Sequence, residues 1–154
     1  MYGSTFHLHF TSELRQTYLR YASDCCFEEL ARQSEAAAIV APYAQDAVVC
    51  DLAPPLAHRG MDLQAKQAWL DTWEGPIDRE THDFSVVGSG DFAFCHGFYR
   101  LSGTPKAAGR PISFWMRATV CMHRDADTWR IVHEHESVPF YMDASLRPAF
   151  DLKP

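Results

Sequence analysis

The chain has 154 residues, of which 47% are hydrophobic and 22% are charged, and these are the proportions of one ordinary globular domain. Its formal net charge of -6 is spread along the sequence, so no basic stripe is present that could neutralise nucleic-acid phosphates. No apolar run approaches the roughly 20 residues that a membrane-spanning helix needs, so neither nucleic acid nor a membrane is expected as a partner.

The opening residues, MYGSTFHLHF, lack the charged region and the long apolar core of a secretory signal. Residues 1–10 are therefore predicted to be a flexible lead-in. The 5 cysteines are odd in number and contain no C-x-x-C spacing, which is typical of reduced, buried thiols and not of a disulfide framework. Both observations favour a cytoplasmic protein.

The first half of the sequence predicts three helices. Residues 11–32 carry apolar groups near helical spacing behind the capping pattern TSEL. SEAAAIVAPYA predicts a short second helix with Ser34 as its N-cap. After the β-rich run AVVCDL, MDLQAKQAWLDTWEG predicts a third helix that turns Trp73 towards the core and stops at Gly75 and Pro76.

From residue 82 onwards the pattern changes to the period of two that indicates β-strands. HDFSVVG and FAFCHGFYRLSG flank a GSGD turn and predict a hairpin. ISFWMRATVCMH and TWRIVHEHESV flank an RDAD turn and predict a second hairpin. Helices followed by several antiparallel strands define an α+β fold, in which a strongly curved sheet would bury one face against the helices.

Three stretches resemble SnoaL-like and ketosteroid-isomerase-like proteins of the nuclear transport factor 2-like superfamily: YAQDAVVCDL, the RG before the third helix, and the closing hairpin RATVCMHRDADTWRIVHEHESVP. The resemblance covers about residues 12–140. It implies a cone-shaped α+β fold, in which a curved antiparallel sheet and three N-terminal helices enclose an apolar pocket, commonly in a homodimer. We therefore assign residues 11–140 to a SnoaL-like domain and expect residues 141–154 to pack on it as a tail.

The same resemblance indicates Asp51 as a candidate catalytic base. Ketosteroid isomerases combine a carboxylate base with a Tyr and a protonated Asp that stabilise the enolate. YAQDAVVCDL puts Asp51 at the base position, whereas the two oxyanion positions fall on Phe27 and Thr119, which remain pocket candidates. The loss of one oxyanion donor typically costs roughly 3–4 kcal/mol of transition-state stabilisation. The usual steroid isomerase is therefore not expected, nor is a SnoaL-type cyclase, because its acid/base Asp also falls on Thr119.

The last predicted strand, WRIVHEHESV, presents two alternative faces to a pocket. One face consists of Trp129, Ile131, His133 and His135. The other consists of Val132, Glu134 and Glu136. The local pattern favours burial of the first face, because it begins with large apolar groups. The pocket residues of ketosteroid isomerases and of the association domain of calmodulin-dependent kinase match the second face, and we therefore predict that the second face lines the pocket.

This choice of face adds three residues of the preceding strand to the predicted pocket: Trp115, Arg117 and Thr119. Arg117 would stand across from Glu134 and could hold a ligand carboxylate with its planar guanidinium group. The alternative is that Arg117 and Glu134 only neutralise each other, because buried charges are generally paired. His96, in FCHGFYR, is a further pocket candidate.

His133 and His135 form a His-x-His pair that could present two imidazoles to one metal ion. A third ligand would have to converge from another part of the chain, and nothing in the spacing forces one to do so. We therefore expect no metal and no cofactor, and treat a metal-dependent enzyme as the less favoured function.

The sequence thus predicts a pocket protein that binds or transforms a small organic molecule. In the enzymatic version, Asp51 is the general base of an isomerase-, cyclase- or hydratase-type proton transfer, and Glu134 is the second catalytic carboxylate. Arg117, with Thr119 or Glu134, would orient the substrate. The alternative is a non-catalytic ligand-binding or dimerisation module, which the missing oxyanion donors favour.

Overall fold

The computed structural model describes residues 31–126 and 128–154. Its elements in chain order are α1 (Ala31–Val40), β1 (Tyr43–Cys50), β2 (His58–Arg59), α2 (Leu63–Leu70), β3 (Trp73–Ser89), β4 (Phe92–Pro105), β5 (Ile112–Asp125) and β6 (Thr128–Ser137). Residues 1–30, which include Phe27 and most of the first predicted helix, lie outside the described residues.

The six strands form one sheet in the order β2-β1-β6-β5-β4-β3. Neighbouring strands run antiparallel, except that β1 and β6 run parallel. The ladders β1–β6, β3–β4 and β5–β6 each contain a register irregularity, and such irregularities bend a sheet. The predicted α+β fold with a curved sheet is confirmed, and two of its three expected helices fall within the described residues.

A β-bulge interrupts β6 at Val132. Met122 of β5 pairs with Ile131, but the next residue of β5, Cys121, pairs with His133. Val132 is therefore an extra residue on β6 that has no partner on β5. An insertion of one residue moves every following side chain to the other face of the strand, because side chains alternate with a period of two.

The bulge makes each of the two interpretations of β6 valid for one half of the strand. Before the bulge, Trp129 and Ile131 are buried, with 6% and 1% of their surfaces exposed. After it, Glu134 is the buried residue at 3% exposure, whereas His135 is exposed. We call the face that carries Ile131 and Glu134 the inner face, and the face that carries His135 the outer face.

The inner face of the sheet carries the apolar core. Its buried residues include Val49, Cys95, Met116, Ala118, Val120 and Met122. The Cys95 thiol is a small packing group, and burial raises its pKa to about 12. Cys50 and Cys121 are also free thiols.

The two described helices differ in their bounds from the sequence prediction. α1 already includes Ala31, so Ser34 lies within the helix and not at its start. α2 spans only Leu63–Leu70. It begins after Asp62, whose carboxylate caps it by accepting a first-turn backbone N–H at 2.6 Å. It ends before Trp73, which already begins β3. Neither helix is long and apolar enough to cross a membrane.

The C-terminal tail folds back onto the sheet. Phe140 forms a β-bridge with Pro148, and Ala149 is only 2% exposed. The Phe150 ring lies 4.7 Å from the Phe114 ring of β5, measured between ring centres. The tail thus covers part of the same sheet that carries the core.

Candidate functional site

A cavity lies on the inner face of the sheet, between the strands and the two helices. Its deep part, the inner chamber, has a volume of about 40 Å³. The polar residues that line the chamber are Glu35, Tyr43, Asp51, Lys66, Arg79, Glu134 and Glu136. A wider part, the mouth, has a volume of about 690 Å³ and shares Asp51, Lys66, Arg79 and Glu136 with the chamber. Since one water-sized sphere needs roughly 10–15 Å³, the chamber admits only a few atoms and the mouth a larger body.

Glu134 is the most buried carboxyl group of the chamber. The Tyr43 hydroxyl donates a hydrogen bond to its Oε2, while its Oε1 is buried without a hydrogen-bond partner among the described residues. Burial, together with the nearby negative charge of Glu136, raises the pKa of Glu134 to about 7, and Arg79 opposes this only in part. A carboxyl with such a pKa can both release and accept a proton near neutral pH.

Arg79 and Glu136 form an ion pair in the same cavity. Arg79 Nη2 donates to Glu136 Oε1 at 2.8 Å, and the two side chains are 17% and 10% exposed. The Arg79 guanidinium also lies 4.9 Å from the centre of the Tyr99 ring, which is cation–π distance. Because β3 and β6 are separated by two strands in the sheet, this contact requires the sheet to curve round the cavity.

Asp51 follows β1 and reaches the rim of the cavity. Its Oδ1 accepts the backbone N–H of Ala53 at 3.1 Å, and its Oδ2 lies 3.4 Å from His58 Nε2. The side chain is 33% exposed, so the carboxylate is held by the loop between β1 and β2 and faces solvent in part. Its environment therefore differs from that of Glu134, which is withdrawn from water.

Four polar residues of the chamber were missed by the sequence analysis, and these are Glu35, Tyr43, Lys66 and Arg79. The Lys66 Nζ lies 4.8 Å from the centre of the Trp69 ring. Burial lowers the pKa of Lys66, and the positive charge of Arg79 lowers it further. Arg79 could have been found from its spacing, because it lies two residues after the buried Ile77 and so shares its face of the strand.

A family model of the SnoaL-like domain matches residues 26–141, which is most of the chain. The chain belongs to the SnoaL-like family. Its curved sheet and inner-face cavity are thus the framework of a SnoaL-like domain. A comparison with curated proteins gives no match to this chain.

Solved structures have the same fold as this SnoaL-like chain. A nuclear transport factor 2-like protein of unknown function from Pseudomonas putida KT2440 is 31% identical, over 94% of this chain and 96% of that one, with a TM-score of 0.77. A ketosteroid isomerase-like protein from Erwinia carotovora atroseptica SCRI1043 is 18% identical, over 84% and 96% of the two chains, with a TM-score of 0.65. A nuclear transport factor 2 superfamily protein from Salmonella enterica serovar Typhimurium LT2 is 14% identical, over 87% and 94%, with a TM-score of 0.67. The last two similarities establish the fold alone.

Three residues that we predicted in the pocket of the SnoaL-like domain lie instead on the outer face of its sheet: Trp115, Arg117 and Thr119. In the β5–β6 ladder, Thr119 pairs with His135 and Val120 pairs with Glu134, and directly paired residues point to the same side. The inner-face neighbours of the glutamates are therefore Ala118 and Val120. Arg79 of β3, and not Arg117, supplies the guanidinium that faces a glutamate.

Two further pocket candidates also lie away from the cavity of the SnoaL-like domain. His96 is exposed on the outer face, where it pairs with Thr119 and stacks on Phe94 with 5.8 Å between ring centres. Val132 is the bulge residue and does not line the chamber or the mouth. The candidates that the structure does bring together in the cavity are Asp51, Glu134 and Glu136.

The His133 and His135 rings lie near each other, with 6.5 Å between their centres. The Nδ1 of His133 lies 2.8 Å from the carbonyl oxygen of Val48, so one of its ring nitrogens is engaged by the backbone. Over residues 31–126 and 128–154, no group of three His, Cys, Asp or Glu side chains is arranged to hold a metal ion.

Proposed function

We propose that this SnoaL-like domain binds a small organic molecule with an apolar body and a carbonyl end, and that Glu134 transfers a proton at that end. The mouth is suited to the apolar body, because its walls include Trp73, Ile112, Phe114 and Met116. The inner chamber has room for only a few atoms, and half of the residues that line it carry groups that donate or accept protons. A molecule bound in this direction would bring its carbonyl group to the chamber.

The observation that carries the proposal is the buried Glu134 carboxyl with a pKa of about 7. In its ionised form it can take a proton from the carbon next to the carbonyl, and in its neutral form it can return that proton to another atom. The Tyr43 hydroxyl and the Arg79 guanidinium are the nearby donors that could stabilise negative charge on the carbonyl oxygen. The base and both donors of this proposal are thus side chains of the protein.

Asp51 is the second candidate for the base, since it also lines the cavity. The hydrogen bond that it accepts from Ala53 and its contact with His58 support a role in holding the loop at the mouth. We therefore assign proton transfer to Glu134 and ligand positioning to Asp51, and the two carboxylates can be distinguished by substitution.

The experiment is solvent hydrogen exchange into a panel of cyclic and aromatic ketones, followed by deuterium NMR or mass spectrometry. The wild-type chain should accelerate exchange at the carbon next to the carbonyl. Glu134→Gln keeps the shape of the side chain and its hydrogen bond from Tyr43, yet should lose about 10²- to 10⁴-fold in rate. Asp51→Asn should lose much less, and Glu74→Gln, at an exposed site, is the control.

Two results would contradict this assignment. Retained exchange in Glu134→Gln would show that this carboxyl does not transfer the proton. Loss of exchange in Asp51→Asn, with Glu134→Gln still active, would return the role of base to Asp51.

The outer face supports a second element of the proposal, a homodimer. Phe92 is 64% exposed and Phe94 is 41% exposed on neighbouring outward positions of β4, and Val87 of the adjacent β3 is 42% exposed. Exposed apolar patches of this kind commonly mark protein interfaces. The same patch supports the alternative function, a non-catalytic association module, for which no ketone of the panel would show accelerated exchange.

A further inference from the structure

Lys66 lies where the inner chamber meets the mouth, since it lines both. It is half-buried on α2, and its Nζ lies over the Trp69 ring at 4.8 Å. Within the described part of the chain, no carboxylate lies within ion-pair distance of this amine. A carbonyl group bound between the mouth and the chamber would therefore lie near an amine that is not tied to a carboxylate.

The surroundings of Lys66 lower its pKa and so raise the share of its neutral, nucleophilic form. Burial lowers the pKa of Lys66, and the positive charge of Arg79 acts in the same direction, while the nearby carboxylates oppose the effect only in part. Each unit by which the pKa falls raises the fraction of free amine at neutral pH about tenfold. A lysine withdrawn from water beside a second cation is one of the ways in which proteins activate an amine.

We propose that Lys66 forms an imine with the carbonyl carbon of the molecule bound in this cavity, so that the ligands of the site are aldehydes or ketones. The inference rests on the proposed function, because it uses the same cavity and the same carbonyl end. It adds a covalent step that the proposed proton transfer does not by itself require.

The step is balanced without any oxidant or reductant. The Nζ lone pair forms a C–N bond to the carbonyl carbon, the carbonyl oxygen gains a proton, and the nitrogen loses one. The hydroxyl group of this adduct then leaves as water after taking up a proton, and a C=N bond remains. Glu134 lines the same chamber and is suited to deliver the proton that leaves with the water.

An imine would also supply what the inner face of β5 lacks. Ala118 and Val120 lie beside Glu136 and Glu134, and neither side chain carries a hydrogen-bond donor for an enolate oxygen. A protonated imine holds its positive charge on nitrogen and withdraws electrons from the neighbouring C–H bond. It could therefore replace an oxyanion donor while Glu134 removes the proton.

The test is reductive trapping of the full-length chain. The sequence contains three lysines, Lys66, Lys106 and Lys153, so that each adduct can be assigned by peptide mass spectrometry. Benzaldehyde and sodium cyanoborohydride at pH 7 convert an imine into a stable benzylamine. Lys66 should be labelled faster than Lys106, which is exposed and donates to the Asp71 carbonyl oxygen at 2.8 Å. Equal or slower labelling of Lys66 would overturn the proposal.

Matched variants separate this inference from the proposed function. Lys66→Arg keeps the positive charge but cannot form an imine, so it should lose ketone exchange, whereas Lys106→Arg should keep it. If Lys66→Arg exchanges ketones at the wild-type rate and Glu134→Gln does not, the imine is refuted and the proposed function stands. If Lys66 is labelled rapidly and Glu134→Gln still exchanges ketones, the imine stands and the role of Glu134 is refuted. Labelling of the wild-type chain decides the matter even if Lys66→Arg fails to fold.

Discussion

Glu134→Gln should change how the free energy of unfolding depends on pH. Burial raises the pKa of Glu134 from 4.5 to about 7 in the folded protein. Between these two values the folded chain holds a proton that the unfolded chain has already released. The free energy of unfolding therefore falls as the pH rises through this window, and the stabilisation is complete only below the unfolded-state pKa. The difference between 4.5 and about 7, at about 1.36 kcal/mol for each pH unit, corresponds to about 3 kcal/mol.

The variant cannot ionise at this position, so it should escape that loss. Its amide oxygen can still accept the hydrogen bond from Tyr43. The free energy of unfolding of Glu134→Gln, minus that of wild type, should thus increase by about 2–3 kcal/mol as the pH rises from 5 to 8. The measurement is urea unfolding followed by tryptophan fluorescence at several pH values. Other titrating groups contribute equally to the free energy of unfolding of both proteins, so their contributions cancel when the two values are subtracted.

Glu74→Gln is the matched control, since Glu74 is exposed at the start of β3. It should leave the pH profile of wild type unchanged. Parallel profiles for wild type and Glu134→Gln would refute the reasoning, because they would mean that Glu134 takes up no extra proton when the chain folds.

Two further substitutions test the ion pair and the outer face. Arg79→Met should lower the free energy of unfolding, measured in urea, by about 3–5 kcal/mol, because it leaves the largely buried Glu136 carboxylate without its cation. Arg110→Met, at an exposed site, should have little effect. Equal effects of the two substitutions would contradict this account. Phe92→Ser combined with Phe94→Ser should convert a two-chain species into a one-chain species in analytical ultracentrifugation, and a one-chain mass for the wild type would contradict the proposed homodimer.

The two hairpins β3–β4 and β5–β6 were predictable because most of each strand follows a period of two and each turn has suitable residues. Gly90 in the predicted GSGD turn adopts a φ of +60°, which glycine accepts without strain. β3 nevertheless begins at Trp73, nine residues before the predicted start at residue 82. Gly75 and Pro76 suggested a stop, but they fall within a register irregularity between Glu74 and Asp78. Since β3 is an edge strand, it tolerates a proline that has no N–H to donate.

The candidate site was predictable only for residues that occupy a fixed position in a sequence motif of the family. Asp51 and Glu134 were found from the resemblance, and both reach the cavity. The pairing of Arg79 with Glu136 was not predictable, because this contact joins residues 57 positions apart and depends on how far the sheet curves. The misplacement of Arg117 has a similar cause, since the sequence does not reveal which residues of β5 and β6 pair directly.

The bulge at Val132 connects the shape of the sheet with the chemistry of the cavity. In a regular strand, the face that begins with Ile131 would continue with histidines, and Glu134 would point to the outer face. One extra residue instead turns Glu134 inwards, where it pairs with Val120, a side chain that offers no hydrogen bond. The cost of removing the carboxylate from water is then only partly offset, so the proton stays bound up to a pH of about 7. The proton affinity on which the proposed function depends is therefore a consequence of where this strand is irregular.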